Sequence, residues 1–287
     1  MAGPTLAVIG GSGLSAIEGL TGASEQQLDT PFGATSGPIV VGALEGTEIA
    51  FLPRHGPGHR LLPAEIPARA NFWALKSLGV ERVIAISAVG SLKEAIEPLH
   101  AVVPDQLIDR TRGRVSTFFG AGLVAHVGFA QPFCPQLSDT LLSSARSAGV
   151  TVHEGGDYVV IEGPAFSTRR ESELYRSWGA SIIGMTALPE AKLAREAELC
   201  YAILAFVTDY DCWREGTESV TADMIFRNLE SNAAVARTAI ASAVASVDEQ
   251  RRCECGSALA TALVTSPDIV PEKTKARLRP IVGRYFD

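Results

Sequence analysis

The chain has 287 residues, of which 46% are hydrophobic, and a net charge of −7 from 25 basic and 32 acidic residues. No segment reaches the roughly 18 consecutive apolar residues of a membrane-spanning helix, and no basic tract suggests nucleic-acid binding. The first residues lack the basic and apolar regions of a secretory signal, and five cysteines do not indicate a secreted disulfide framework. These features predict a cytoplasmic protein that binds neither membrane nor nucleic acid.

Apolar runs and helical periodicities alternate along the chain, which is typical of an α/β fold. Strands are predicted at 6–9, 39–42, 48–52, 80–86, 158–162, 182–186 and 202–207, and helices at 66–78, 135–148, 169–178, 189–199 and 221–247. No linker, repeat or low-complexity tract interrupts this order. We therefore expect one main domain over residues 1–250, with a tail from 251 to 287 that packs on it or extends it.

The strand at 202–207 is apolar throughout, as expected of a strand that is buried on both faces of a parallel sheet. It is followed by Asp209 and Asp211, and ligands of open α/β sheets bind beyond the carboxyl ends of strands. Side chains two residues apart in a strand point the same way, so both carboxylates are placed to contact one small molecule. The alternative is that one aspartate caps a helix and the other is solvated.

Three further strand ends carry groups suited to an anion. Ser12 lies in the Gly10–Gly13 turn, Arg54 and His55 follow the strand at 48–52, and Ser87 and Ala88 begin a predicted turn of small residues. Backbone amides, hydroxyls and a guanidinium all bind phosphate. Each segment alone has a structural alternative, a glycine-requiring turn or a solvated loop, but three on one sheet predict a shared phosphate site. A metal at His55 and His59 is discounted because no third ligand is apparent.

Six motifs occur in an order that resembles the trimeric purine nucleoside phosphorylases, and within them the S-methyl-5′-thioadenosine phosphorylases. The motifs are Gly10–Gly13, Pro53–Gly56, Ser87–Ser91, Glu162–Ser167, Gly184–Thr186 and Thr208–Trp213. The resemblance runs from about residue 6 to residue 245 and implies a single α/β domain with a mixed, twisted sheet flanked by helices. It also implies attack of phosphate on C1′ of a purine nucleoside, which releases the base and forms a pentose 1-phosphate.

The resemblance assigns roles to residues of this chain. Phosphate would contact Ser12, Arg54, His55, Ser87, Ala88 and Thr186; the ribose would contact Met185; the purine would contact Phe166, Asp209 and Asp211; and Ser167 and Ala222 would influence specificity. Asp209 would be the general acid that protonates the leaving purine. His126 would approach the 5′ substituent of a neighbouring subunit's substrate, in a homotrimer or a dimer of trimers. The implied reaction needs no metal or cofactor, since inorganic phosphate is a co-substrate.

Asp209 favours S-methyl-5′-thioadenosine as substrate, because a carboxylate accepts a hydrogen bond from the amino group of adenine. Phosphorolysis of 6-oxopurine nucleosides or of methylthioinosine is the alternative. Two other classes stay open, a nicotinamide-dependent oxidoreductase and a catalytically silent nucleoside-binding protein. The glycine-rich first turn lacks the third glycine of the dinucleotide fingerprint, which argues against the former.

Cys253 and Cys255 form an unusual pair in the tail. We expect the tail to fold back over the domain, with reduced thiols favoured over a disulfide to Cys200, because the cytosol keeps thiols reduced.

Overall fold

The computed structural model describes residues 3–11, 14, 19–214 and 222–286, with the backbone alone at 222–227 and 229–231. The strands are β1 (Leu6–Gly10), β2 (Thr21–Gln26), β3 (Ile39–Leu44), β4 (Thr47–Pro53), β5 (Arg82–Ser91), β6 (Ala101–Val103), β7 (Gln106–Arg110), β8 (Val152–Glu154), β9 (Asp157–Ile161), β10 (Ile182–Gly184) and β11 (Cys200–Asp209). The helices are α1 (Ala68–Ser77), α2 (Pro135–Ser147), α3 (Arg169–Ser177), α4 (Ala187–Glu196), α5 (Ala222–Ser246) and α6 (Glu272–Val282).

The described strands form one mixed sheet that branches at β5. The sheet order is β2-β3-β4-β1-β5-β10-β9-β7, and β11 pairs with both β5 and β6, which continues to β8. The first half of β5 lies parallel to β1, whereas its end pairs antiparallel with β10. Along its whole length β5 is also parallel to β11. The last residues of β5 therefore lie between two different strands, where the sheet opens.

The core forms on both faces of β11, as the apolar run predicts. Every residue of β11 is buried. Tyr201, Ile203 and Val207 face one apolar cluster, with α1, α4 and α6, while Leu204 and Phe206 face a second cluster, with α2 and α5. Alternate residues of a strand point to opposite faces, so this strand joins the two halves of the core.

The predicted α/β class and single mixed-sheet domain are confirmed, but one local prediction is wrong. Residues 87–91 are not a turn: they continue β5 and pair with β11 and β10. Small residues suited to a turn are equally suited to a strand that other backbone and side chains approach closely. The sequence reading also missed β2, β6, β7, β8 and α6, which are either short or largely polar.

The segment after α5 lies against the same sheet and helices. The indole of Trp73 donates a hydrogen bond to the carbonyl of Arg277 in α6, at 3.0 Å. The buried carboxylate of Glu198 accepts hydrogen bonds from the Leu259 amide and the Tyr285 hydroxyl, at 2.9 and 2.6 Å. Among the helices described, none combines the length and the apolar character needed to cross a membrane.

Candidate active site

A cavity of about 250 Å³ opens where β5, β10 and β11 diverge. Its wall is formed by Gly11, Arg54, His55, His59, Pro63, Ser87, Ala88, Val89, Gly90, Ile161, Pro164, Phe166, Ile183, Gly184, Met185, Thr186, Thr208, Asp209 and Asp211. Most of the residues predicted for a site are in this list, although they come from segments far apart in the chain. The cavity is the place where those segments meet.

Hydroxyl groups and a guanidinium lie together on one side of the cavity. Ser87 Oγ, on β5, is 3.3 Å from Thr186 Oγ1, which precedes α4. Arg54 follows β4 directly and its side chain is almost completely buried, with 1% exposure. The structure thus brings together three of the residues predicted to bind phosphate.

Arg54 is held by a carboxylate that the sequence reading did not identify. Arg54 Nε and Nη2 donate to Glu190 Oε1 and Oε2 at 2.5 and 3.0 Å, and Nη1 donates to the Ile86 carbonyl at 2.6 Å. The hydroxyl of Tyr201, on β11, donates to Glu190 Oε2 at 2.7 Å. Burial acts to lower the pKa of Arg54, but the charge and hydrogen bonds of Glu190 raise it, so the guanidinium stays charged.

His55 adds no positive charge to this side of the cavity at neutral pH. Burial, together with the neighbouring charge of Arg54, lowers the pKa of His55 to about 4, although a hydrogen bond to Leu61 opposes the shift. The ring is therefore neutral at neutral pH. His55 Nδ1 lies 2.8 Å from the Leu61 carbonyl, which can only accept, so Nδ1 carries the proton. The cationic character of this side of the cavity comes from Arg54.

Two carboxyl groups, at the end of β11 and just beyond it, line the cavity. The Asp211 amide donates to Asp209 Oδ1 at 2.7 Å, and the Thr208 hydroxyl lies 2.7 Å from Asp209 Oδ2. Burial raises the pKa of Asp209, hydrogen bonds from Thr208 and Asp211 partly counter this, and the charge of Asp211 adds to it. Burial likewise raises the pKa of Asp211. A raised pKa keeps a larger fraction of each carboxyl protonated near neutral pH, and only the protonated form can donate a proton.

The two aspartates do not reach the cavity in the way the strand pattern predicted. β11 ends at Asp209, and its register against β5 shifts between Val207 and Asp209. Asp211 lies beyond the strand, in the left-handed region with φ of 50°. A bulge and a tight turn, rather than simple alternation, thus bring both carboxyls to one cavity.

Glycines leave room for functional side chains at two positions. A Cβ at Gly90 would lie 2.9 Å from Asp209 Oδ1, and one at Gly11 would lie 2.9 Å from Arg54 Nη1 and 2.6 Å from the Ile86 carbonyl. All three distances are too short for a Cβ atom. These glycines therefore permit close packing around Asp209 and Arg54. This role is structural and does not require contact with a ligand.

Arg114 connects the two loops that carry Met185 and Phe166, and sequence reasoning also missed it. Its Nη1 donates to the carbonyls of Met185 and Leu188 at 2.6 and 2.8 Å, and its Nη2 to that of Glu162 at 2.5 Å. Phe166 is 48% exposed yet lines the cavity. A long-range arginine of this kind leaves no local motif, since its partners, backbone carbonyls and the Glu162 carboxylate, are distant in sequence.

Four predicted residues are not found in the described cavity wall. Ser12 and the side chain of Ala222 lie outside the described residues. Ser167 follows Phe166 but does not line the cavity described here, and its carbonyl accepts a hydrogen bond from the Cys212 thiol at 3.2 Å. His126 is exposed on a loop whose backbone pairs with the C-terminal segment, its amide donating to Ala262 O at 2.9 Å. The assigned roles of these residues stay predictions.

Comparison with known proteins assigns the chain to a family. The family model described as the phosphorylase superfamily matches residues 5–246, so the chain belongs to the phosphorylase superfamily. It is 54% identical to the S-methyl-5′-thioadenosine phosphorylase of Koribacter versatilis, over 98% of this chain and 96% of that protein. The corresponding protein of Geobacter sulfurreducens is 53% identical, over 98% of both chains.

Solved structures agree with this assignment. A methylthioadenosine phosphorylase from an antarctic soil metagenomic library superposes with a TM-score of 0.93 and 49% identity, over 98% of this chain and 99% of that one. The methylthioadenosine phosphorylase of Schistosoma mansoni in complex with adenine gives a TM-score of 0.84 and 34% identity, over 98% of both chains. The family and fold that the six motifs predicted are confirmed.

The Arg54–Glu190 pair generates a prediction about stability. Replacing Glu190 by Gln leaves a buried guanidinium without its counter-charge, so Glu190→Gln should lower the free energy of unfolding by about 3–5 kcal/mol. Glu154→Gln is the matched control, because Glu154 forms an exposed pair with Arg146 and such pairs contribute roughly 0–1 kcal/mol. Urea unfolding of both variants provides the comparison. Equal stabilities would show that the buried pair does not hold this side of the cavity.

Proposed function

We propose that this chain catalyses the phosphorolysis of S-methyl-5′-thioadenosine, giving adenine and 5-methylthioribose 1-phosphate. The proposal depends above all on one observation: a buried aspartate with a raised pKa shares one cavity with a buried, charged arginine and two hydroxyls. An acid for the leaving base and a site for an anionic nucleophile are the two requirements of this reaction. The names of the relatives, at about half identity over nearly the whole chain, support the same reaction.

Phosphate would bind beside Arg54, Ser87 and Thr186. Within the described residues, Glu190 and Ile86 occupy three of the five guanidinium N–H groups, which leaves donors for an anion. The hydroxyls of Ser87 and Thr186 supply two more donors, 3.3 Å apart and thus spaced to contact neighbouring oxygens of one phosphate. Ala88 would add its backbone amide, Ser12 its hydroxyl and His55 its ring, as the resemblance implies. These donors would orient the phosphate, which is the nucleophile, and the bound dianion would stabilise the positive charge that develops on the ribose.

Asp209 would act on the leaving base. As the C1′–N9 bond breaks, negative charge accumulates on the purine, and a carboxylic acid near N7 donates the proton that neutralises it. Burial keeps Asp209 protonated to higher pH than an exposed aspartate. Asp211 would contact the same base edge, while Phe166 would pack on the purine and Met185 on the ribose.

Adenine fits this pair of aspartates better than a 6-oxopurine does. With the proton of the Asp209 carboxyl directed at N7, its second oxygen can accept a hydrogen bond from the 6-amino group, whereas the oxygen of a 6-oxopurine would leave two acceptors facing one another. A buried mismatch of this kind carries a large penalty because polar groups remain unpaired. Ala222 would modulate the 5′ preference, and Ser167 would also influence specificity. Phosphorolysis of 6-oxopurine nucleosides or methylthioinosine is the alternative that the base preference tests.

We further propose a homotrimer or a dimer of trimers in the cytoplasm. The half-exposed Phe166 and the exposed His126 suit a cavity completed by a neighbouring subunit. The reaction requires a nucleophile, an acid and an anion near the ribosyl cation, and these come from phosphate and the residues above. We therefore expect catalysis to need no cofactor and no metal.

Asp209→Asn tests the proposed acid. The amide cannot protonate N7 and donates toward the 6 position, so turnover of methylthioadenosine should fall by roughly 10²–10⁴ and preference should move toward 6-oxopurines. In the unaltered chain the rate should decline as pH rises through the raised pKa of Asp209, because the deprotonated form cannot donate. Asp139→Asn, on the exposed side of α2, is the control. An unchanged ratio of adenine to hypoxanthine release in Asp209→Asn would refute the assignment.

Subunit complementation tests the proposed assembly. If His126 serves the neighbouring subunit's site, mixing inactive Asp209→Asn chains with inactive His126→Ala chains should restore part of the activity, since some interfaces then hold one intact site. Refolding each variant alone is the control. An active chain that sediments as a monomer would contradict the shared site.

A further inference from the structure

Four of the five cysteines lie close together in the fold although they come from segments far apart in sequence. This cluster is separate from the wall of the cavity. Its members are Cys134, Cys200, Cys253 and Cys255, and their Sγ atoms all lie within 4.8 Å of one another. They come from three segments: the residue before α2, the first residue of β11, and the segment after α5. The fifth cysteine, Cys212, lies near the candidate active site and is not part of this group.

The spacing fits a tetrahedral metal centre. With Zn–S bonds of about 2.3 Å, the sulfurs of a zinc tetrathiolate are about 3.8 Å apart along every edge of the tetrahedron. The Cys200 and Cys253 sulfurs are 3.3 Å apart, far longer than a disulfide bond, and all five cysteines are free. If these four cysteines formed two disulfides instead, each sulfur would need to approach only one partner. Here each sulfur has three close neighbours, which is the arrangement that a shared central ion requires.

The surroundings suit a buried ion with excess negative charge. Cys134, Cys200 and Cys255 are 1–3% exposed, and Cys253 is half-buried. A divalent ion with four thiolates carries a net charge of about −2, which burial disfavours unless cations lie nearby. Arg251 interacts electrostatically with Cys200 and Cys253, and its Nε is buried without a hydrogen-bond partner in the described residues. The positive charge of Arg251 would partly offset the negative charge of the thiolates.

We propose that Cys134, Cys200, Cys253 and Cys255 bind a structural zinc ion. Four soft ligands with no open position select zinc, and they leave no site for water or substrate. The ion would join the C-terminal segment to β11 and α2. That segment also pairs with the loop of His126, through hydrogen bonds between Ala262 and His126 and between Val264 and Val124. The metal therefore has a structural role, independent of the proposed reaction.

Metal analysis of the purified, untagged chain tests the proposal. We expect about one zinc per chain after the reduced protein is given zinc and desalted, and about one in Cys212→Ser, which keeps the four ligands. Cys253→Ser should retain less than a tenth of that amount, because a tetrathiolate site loses one of its four ligands. The measurement on the unaltered chain does not depend on whether this variant folds.

Three results would overturn the proposal. They are a zinc-free chain with five titratable thiols, a chain lighter by two or four hydrogens because of disulfides, and iron in place of zinc. Activity provides a separate readout: a chain that binds zinc but releases no base would refute the proposed function and leave the metal site standing.

Discussion

The buried pair of Arg54 and Glu190 is the interaction on which the side of the cavity proposed to bind phosphate depends. It joins the end of β4 to α4, and the Tyr201 hydroxyl ties the same carboxylate to β11. A buried arginine is tolerated only when a counter-charge and good hydrogen bonds compensate its desolvation. Because these bonds form within the protein, the guanidinium is already oriented when an anion arrives, and little reorganisation is left for the reaction.

The parallel pairing of β5 with β11 places the residues proposed to bind phosphate next to the proposed acid. Ser87 and Ala88 of β5 lie opposite Ala205 and Phe206, and Gly90 lies opposite Asp209. These positions all lie toward the carboxyl end of the strand pair, so the residues proposed to bind phosphate and the proposed acid are only a few residues apart. The register shift before Asp209, together with the room left by Gly90, turns the carboxyl into the cavity.

Much of this arrangement was predictable, because strands and helices follow local periodicity and strand ends mark ligand sites. The apolar run of β11, Arg54 after β4, and Asp209 were found in that way. The sequence did not indicate Glu190, Arg114 or the four-cysteine cluster. Their partners lie up to 136 residues away, and no local pattern selects the face that they occupy. The predicted turn at 87–91 failed because small residues there serve a close packing contact, not a chain reversal.

The most direct test of the central claim measures base release from methylthioadenosine with and without inorganic phosphate. The account predicts that adenine and 5-methylthioribose 1-phosphate form in equal amounts, only when phosphate is present, and faster than base is released from methylthioinosine, adenosine or inosine. Adenine release without phosphate would contradict phosphorolysis, and faster release of hypoxanthine would contradict the role given to Asp209. Either result would require a different account of the cavity.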